Sequence, residues 1–210
     1  MAKRVLVACE YSGTVRDAFS KLGWDAFSCD LLPSEKPGNH RQCDVFGGIL
    51  NEGWDALIFF WPCTYLCRSG QSWLNREPKK RNPDVLYGED RRVAMLAHAH
   101  SFKRLLDCGI RYIAGENPRM NCHAAAIVGP SSQKIQPWQH GHGECKETHL
   151  WLKNLPLLVP TNIVSGREQR LHRLPPGPNR WKERSRTFHG IAGAMATQWT
   201  TAIEKEQSNG

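Results

Sequence analysis

The chain has 210 residues, 40% of them hydrophobic, and carries 28 Lys and Arg against 20 Asp and Glu, a net charge of +8. That is enough chain to bury a real core. No apolar run reaches the roughly 18–20 residues of a membrane helix, and the opening "MAKRVLVACEYSG" has neither the apolar core nor the cleavage site of an export signal. A helical membrane protein is excluded, and a soluble, intracellular protein is expected. The eight cysteines are scattered, which favours free thiols in a reducing compartment over a disulfide scaffold.

Taken in chain order, residues 3–10 (KRVLVACE) read as a strand. A tight turn at Ser12 and Gly13 follows, then a helix that stops at Gly23. Residues 24–30 (WDAFSCD) read as a second strand ending in Asp30. Residues 31–42 are rich in turn formers and read as loop. Asp44 and Val45 begin a short strand or turn. Residues 54–61 (WDALIFFW) form the most apolar strand, as a central parallel strand should be. A long polar stretch follows Cys63, and its mixed-charge part (residues 76–92) reads as a solvated loop or as one closing over substrate. Residues 90–109 read as a helix with a glycine stop, residues 110–118 (IRYIAGENP) as a strand, and residues 148–156 (THLWLKNLP) as another. Residues 160–186 are Pro-rich and loop-like, and residues 190–206 close the chain as a helix. Strand–helix alternation of this kind argues for an α/β fold with a mostly parallel sheet.

Positive charge concentrates late. Between positions 161 and 189 there are seven Arg or Lys (Arg167, Arg170, Arg173, Arg180, Lys182, Arg184 and Arg186) against two Glu, interleaved with Trp181 and Phe188. This pattern points to nucleic acid as the polyanionic partner. In open parallel sheets ligands lie outside the carboxyl ends of the strands, so Glu10–Gly13, Asp30, Asp44, Pro62–Cys63 and Glu116–Pro118 are expected on one rim. Gly13 would let backbone approach a ligand. Asp30 stands where nucleoside-binding folds put a carboxylate on ribose hydroxyls. A cysteine after a buried strand is most simply a packed thiol. The sharper reading is a nucleophile.

The Pro-Cys of "WPCTYLC" and the Glu-Asn-Pro of "GENP" resemble the nucleophile and Glu-Asn-Val motifs of the DNA cytosine-5 methyltransferase family. "CEYSGTVRDAFSKLGWDAFSCD" is similar to its first cofactor motif, and "FHGIAGAMATQW" to its last, in the same order along the chain. More narrowly, the chain looks like the short methylase-like proteins of bacteriophage genomes. The resemblance implies a Rossmann-like methyltransferase fold spanning 1–210 as one catalytic domain, with a short basic segment at about 156–187 in place of a target-recognition domain. It implies S-adenosylmethionine as cofactor, held by Cys9, Glu10, Ser12, Gly13, Asp30, Asp44, Val45 and Pro62, with Asp44 and Val45 bordering its adenine. It implies methylation of DNA at cytosine C5 in the cytoplasm of a bacterial or phage-infected cell. Cys63 would add to C6 as a thiolate, and Glu116 would act on the ring near N3. Asn117 and Pro118 would hold that loop. Lys146 would replace an arginine of the family's Gln-x-Arg-x-Arg strand. Arg167, Arg170, Arg180, Lys182, Arg184 and Arg186 would contact nucleic acid. Cys67 reads as packing. The run "HGHGECKETH" holds zinc-ligand types at a spacing that fits no closed site, so no metal is expected.

Three departures from the family pattern stand out: Tyr11 in place of a glycine, Trp61 in place of the first proline of Pro-Pro-Cys, and the brevity of the late segment. They leave two alternatives open. One is cytosine-5 methylation of RNA or a free nucleotide. The other is a degenerate fold kept as a nucleic-acid-binding or inhibitory module.

Overall fold

A computed structural model describes residues 2–75 and 85–208; most of the mixed-charge run read as a loop, 76–84, lies outside the described residues. Seven strands form one sheet: β1 (Arg4–Ala8), β2 (Asp25–Asp30), β3 (His40–Gln42), β4 (Ala56–Phe59), β5 (Tyr112–Asn117), β6 (Gln133–Ile135) and β7 (Thr148–Lys153), in the order β3-β2-β1-β4-β5-β7-β6. All pairings are parallel except those of β7, which runs antiparallel to both β5 and β6. The principal helices are α1 (Thr14–Ser20), α2 (Gly88–Leu106), α3 (Cys122–Val128) and α6 (His189–Ser208); α4 (Arg170–Arg173) and α5 (Arg180–Ser185) are short. This is an α/β fold with a mostly parallel central sheet, as expected from the sequence.

Alternation along the central strands builds two cores. Leu6 and Ala8 of β1, Leu57 and Phe59 of β4, and Ile113 of β5 face α2 and α3. Val5, Val7, Ala56, Ile58, Tyr112 and Ala114 face α1 and α6. Both faces are covered, which is why these strands read as continuous apolar runs. On the first face Phe59, Phe102 and Trp151 pack edge to face at centroid distances of 4.8 and 5.1 Å, a favoured geometry for aromatic quadrupoles. On the second, α6 buries Ile191, Met195, Trp199 and Ile203. Its Thr200 hydroxyl accepts from the Trp24 indole at 2.9 Å.

The reading of residues 31–42 as loop needs one correction, because the last three form β3. It is a polar edge strand, paired on one side only, and so lacks any period-two apolar signal. Asp44 and Val45 form a turn, in which the Asp44 carboxylate accepts the Phe46 amide at 2.8 Å. The segment from 122 to 135, unassigned from sequence, holds α3 and β6, both too short to show a period. Between β7 and α6 the chain is mostly irregular, as expected. Two glutamines clamp it by exchanging paired hydrogen bonds, Gln133 with Leu158 and Gln198 with Val159.

Gly115 in β5 lies under the aromatic stack, where a Cβ would meet Phe59 Cζ at 2.4 Å and Phe102 Cζ at 2.9 Å. Gly115→Ala is expected to destabilise the fold by about 1–3 kcal/mol through overpacking. Thermal unfolding should show this as a Tm lower by roughly 2–4 °C per kcal/mol.

Candidate active site

The carboxyl ends of β1 and β2 make the first half of the rim. Cys9 takes a left-handed φ of 58° that turns the chain sharply off β1. Glu10 then points inward, 5% exposed. Its carboxylate accepts the Val15 amide at 2.6 Å and the Arg16 amide at 3.2 Å, with the Ser12 hydroxyl at 3.2 Å. Burial pushes the Glu10 carboxyl up to about 7 despite these donors. Glu10 is therefore the internal cap of α1 and occupies amides that a ligand carboxylate would otherwise use. Gly13 takes a φ of 67°, and a Cβ there would strike the Arg16 guanidinium at 2.5 Å. Cys9 lies within electrostatic reach of Asp30 and Asp44, which with burial and Cys29 raise its thiol. Burial also raises Asp30, whose Oδ1 accepts the Leu32 amide at 3.0 Å. Val45 is buried behind Asp44, and Phe46 beside it lies 5.8 Å from the Trp61 ring. Of the residues expected to hold a cofactor, Cys9, Asp30, Asp44 and Val45 converge here, while exposed Pro62 follows β4.

The ends of β4 and β5 make the second half. Neighbouring parallel strands deliver Cys63 and Glu116 to the same rim. Asn117, fully buried, donates from Nδ2 to the Trp61 carbonyl at 2.8 Å. Asn121 caps α3 through the Ala124 amide at 2.9 Å and donates to the Tyr65 and Leu66 carbonyls at 3.2 and 3.0 Å. The Arg68 amide donates to the Arg119 carbonyl at 2.8 Å. From α2, Arg91 Nη2 donates to the Thr64 carbonyl at 2.7 Å. The Pro-Cys loop and the Glu-Asn-Pro loop are thus stapled together.

Within this bracket Cys63, Glu116 and Lys146 act on one another. The hydrogen bond to Cys67, then burial, then the charges of Cys67 and Glu116 raise the Cys63 thiol, and Lys146 opposes them. Burial raises Glu116, offset by Lys146, by the Thr148 hydroxyl and by His149. Lys146 Nζ also donates to the Arg186 carbonyl at 3.3 Å. Arg91, Asn121 and Thr148 were not singled out from sequence. Asn121 could have been found as a helix N-cap signature, whereas the other two carry no local signal.

The basic residues divide between two places. Arg167, Arg170 and Arg173 line an open cavity of about 620 Å³ with Gln169 and Leu174. There Arg170 pairs with Glu144 at 2.8 Å, Arg167 lies over the Trp138 ring at 3.9 Å, and Arg180 Nε donates to the Leu174 carbonyl at 2.9 Å. The α5 end sits instead beside the turn after β1. The Tyr11 hydroxyl lies 3.0 Å from Ser185 Oγ and 3.3 Å from the Lys182 carbonyl, and its ring lies 5.9 Å from Trp181. Arg186 pairs with Glu35 and Glu183, both at 2.8 Å, and lines a second cavity of about 620 Å³ with Ser12, Thr14 and His189. Arg184 is exposed. In "HGHGECKETH" the histidines serve structure: His140 bonds Thr161 at 3.1 Å, and His142 Nε2 accepts the Gly190 amide at 3.0 Å. Among the described residues no group of three His, Cys, Asp or Glu is placed to hold a metal ion, and no helix is long and apolar enough to cross a membrane.

No protein-family model and no curated protein matches the sequence. Among solved structures, the chain is similar to a candidate DNA modification methyltransferase encoded within a prophage of E. coli, with 13% sequence identity and a TM-score of 0.44 over 83% of this chain and 56% of that one. The chain therefore spans little more than half the length of that protein.

A carboxyl raised by burial keeps its proton in the folded protein at a pH where the unfolded chain has released it. Wild type thus loses stability as pH climbs from the ordinary carboxylate range through the raised value of Glu116. Glu116→Gln removes that cost. Thermal scans should give the variant a Tm at or above wild type at pH 8, with the advantage shrinking toward pH 5.

Proposed function

We propose that the protein transfers a methyl group from S-adenosylmethionine to C5 of cytosine in DNA, through a transient bond between Cys63 and the base. The observation that supports this reading is that the parallel strands β4 and β5 bring Cys63 and Glu116 to one rim and that Asn117 and Asn121 hydrogen-bond their two loops together. The donor set fits the cofactor. Asp30 offers a carboxylate for ribose hydroxyls, the half-buried Phe46, packed beside buried Val45, offers apolar surface for adenine, and the cavity beside Ser12, Thr14 and His189 offers polar contacts. The α1 amides taken by Glu10 leave the cofactor's own carboxylate to those side chains. When bound, S-adenosylmethionine supplies the electrophilic methyl.

The chain's own residues do the rest. Cytosine C5 is a poor nucleophile until a thiolate adds to C6 and makes the ring an enamine. Lys146 favours the thiolate of Cys63 by its charge. Burial raises the Glu116 carboxyl and so favours its protonated form, which can share its proton with ring N3, drawing electrons from C6. Asn117 fixes the distance between the two loops. Loss of the C5 proton and breakage of the S–C6 bond release the product.

In this reading the chain is one catalytic domain, and residues 156–187 stand in for a recognition domain. Arg167, Arg170, Arg173 and Arg180 are the phosphate contacts. Arg186 is already spent on Glu35 and Glu183, so it serves the cofactor side more than DNA. So small a basic surface suits a very short site or a single strand, where flipping the base out of a duplex costs less.

Tritium transfer from labelled S-adenosylmethionine to DNA tests the chemistry: Cys63→Ser and Glu116→Gln should each fall by at least about 100-fold, and activity of Cys63→Ser equal to wild type sinks the covalent route. DNA affinity titrated with salt tests the surface. Arg173→Ala should weaken binding and lower the salt slope by about 1, and Arg186→Ala should change it less.

A further inference from the structure

The loops that carry Cys63 and Glu116 meet in a single rung of antiparallel pairing, Cys67 opposite Met120. The Arg68 amide donates to the Arg119 carbonyl at 2.8 Å, and the Asn121 amide to the Leu66 carbonyl at 2.7 Å. The rung therefore sets Arg68 beside Arg119, and both are exposed. Like charges set against each other across paired strands are destabilising, and nothing nearby in the chain offsets them. No Asp or Glu occurs from residue 56 to 75 or from 117 to 143, the segments that supply the two loops. Among the described residues neither guanidinium makes a hydrogen bond, an ion pair or a ring contact. Elsewhere arginines are paired: Arg4 and Arg41 hold carboxylates at 3.1 and 2.6 Å, and Arg170 and Arg186 hold theirs at 2.8 Å.

A third cation lies under the same turn. Arg91, on α2 and 5% exposed, donates from Nη2 to the Thr64 carbonyl at 2.7 Å and lies 5.2 Å from the Tyr65 ring. Gly70 leaves the room it needs, since a Cβ there would lie 2.4 Å from that nitrogen. Its Nε has no hydrogen-bond partner, and no carboxylate pairs with it among the described residues. Taking a charge out of water without a counter-charge is costly. Two exposed guanidinium groups and one buried one thus share a turn that holds no anion, and the opposing charge is left to come from outside the chain.

We propose that Arg68 and Arg119 grip one backbone phosphate of a nucleic-acid strand, next to the base that enters between Cys63 and Glu116. The inference rests on the reading of cytosine in a nucleic acid as substrate. A guanidinium presents paired N–H donors that match phosphate oxygens, and two of them on hydrogen-bonded neighbours can hold one phosphate from both sides. Arg91 touches no ligand in this scheme. Its fixed charge deepens the positive potential, and its bond to Thr64 holds the turn. The place fits the task, because Arg68 follows Cys63 by five residues and Arg119 follows Glu116 by three. Phosphate contacts fix register rather than sequence, and this one would seat a base against the thiol without a recognition domain. The late basic segment is less free to do so, with Arg167 over Trp138 and Arg170 on Glu144.

Binding of a single-stranded DNA oligonucleotide that holds one cytosine, followed by fluorescence anisotropy across salt, tests the grip. The Arg68→Gln/Arg119→Gln double variant should bind at least about 10-fold more weakly at low salt. Its slope of log affinity against log salt should be shallower by about 0.7, the share of one phosphate on a single strand. An unchanged slope overturns the proposal, and a change of about twice that size means two separate contacts and overturns the shared grip. Deoxycytidine monophosphate is the second probe and should compete only far above the oligonucleotide's concentration. Competition at equal concentration in wild type, lost in the double variant, marks a mononucleotide site and overturns the strand grip. Thermal scans without nucleic acid are the third measurement: Arg119→Gln should match or exceed the wild-type Tm at low salt, since repulsion is relieved. A Tm lower by several degrees reveals a partner inside the fold and overturns the proposal. A wild type that gives the expected slopes but transfers no methyl leaves the grip standing and removes the methyltransferase reading. A wild type that binds no oligonucleotide removes the grip.

Discussion

The candidate site depends on one constraint: the loops leaving two adjacent parallel strands are hydrogen-bonded to each other as well as to the sheet. Parallel pairing of β4 with β5 brings Cys63 and Glu116 to a common rim, yet pairing alone would leave both loops free beyond the last rung. Asn117 ties the β5 end to Trp61, and Asn121 ties the next turn to Tyr65 and Leu66. Both side chains are almost fully buried, where an amide without partners is costly. Their burial is tolerated because the other loop supplies the acceptors. Asn117 Oδ1 has no partner among the described residues, so this amide fits only one arrangement of the two loops, and then only in part.

From that bracket follows the division of proton labour. Two acids and one base share a small volume of low dielectric, where charges act strongly on each other. Burial raises the Glu116 carboxyl, and the neighbouring Cys67, burial and Glu116 raise the Cys63 thiol. Lys146 opposes both shifts. Under the proposed reading, separated proton affinities in one site would let a single environment supply both a proton donor and a nucleophile. The tether from Lys146 to the Arg186 carbonyl carries this further, since it links the ammonium to the segment that also lines the cavity beside Ser12 and Thr14.

What could be read from the sequence follows the range of each physical signal. The central strands declared themselves because both faces are covered, giving unbroken apolar runs such as "LIFF". Cys63 and Glu116 were legible because strand ends in a parallel sheet meet at one rim, whatever lies between them in sequence. The edge strand β3 was not, since a polar three-residue strand has no pattern to see. Glu10 was expected at the cofactor, yet it caps α1: a carboxylate five residues before the Val15 amide satisfies it only because the chain reverses at Cys9, a left-handed conformation the sequence does not announce. Arg91 was invisible for a related reason. Its partner is the Thr64 backbone carbonyl, which any residue provides.

The departures at Tyr11 and Trp61 bear on whether the fold is a working site or a relic. A residue that drifts after function is lost leaves strain or an unpaired polar group. Here each is met by its own contacts. The Tyr11 hydroxyl anchors α5 through Ser185 and the Lys182 carbonyl, under the Trp181 ring. The Trp61 indole donates to His98 Nδ1 at 3.1 Å, and burial lowers His98 so that this nitrogen stays free to accept. The face of Trp61 packs on Phe46 beside Asp44. Both side chains thus fasten a neighbouring element onto the rim: α5 over the turn after β1, α2 beneath the Pro-Cys loop. Both residues are thus fixed by packing and hydrogen bonds, and neither leaves a buried polar atom unpartnered among the described residues.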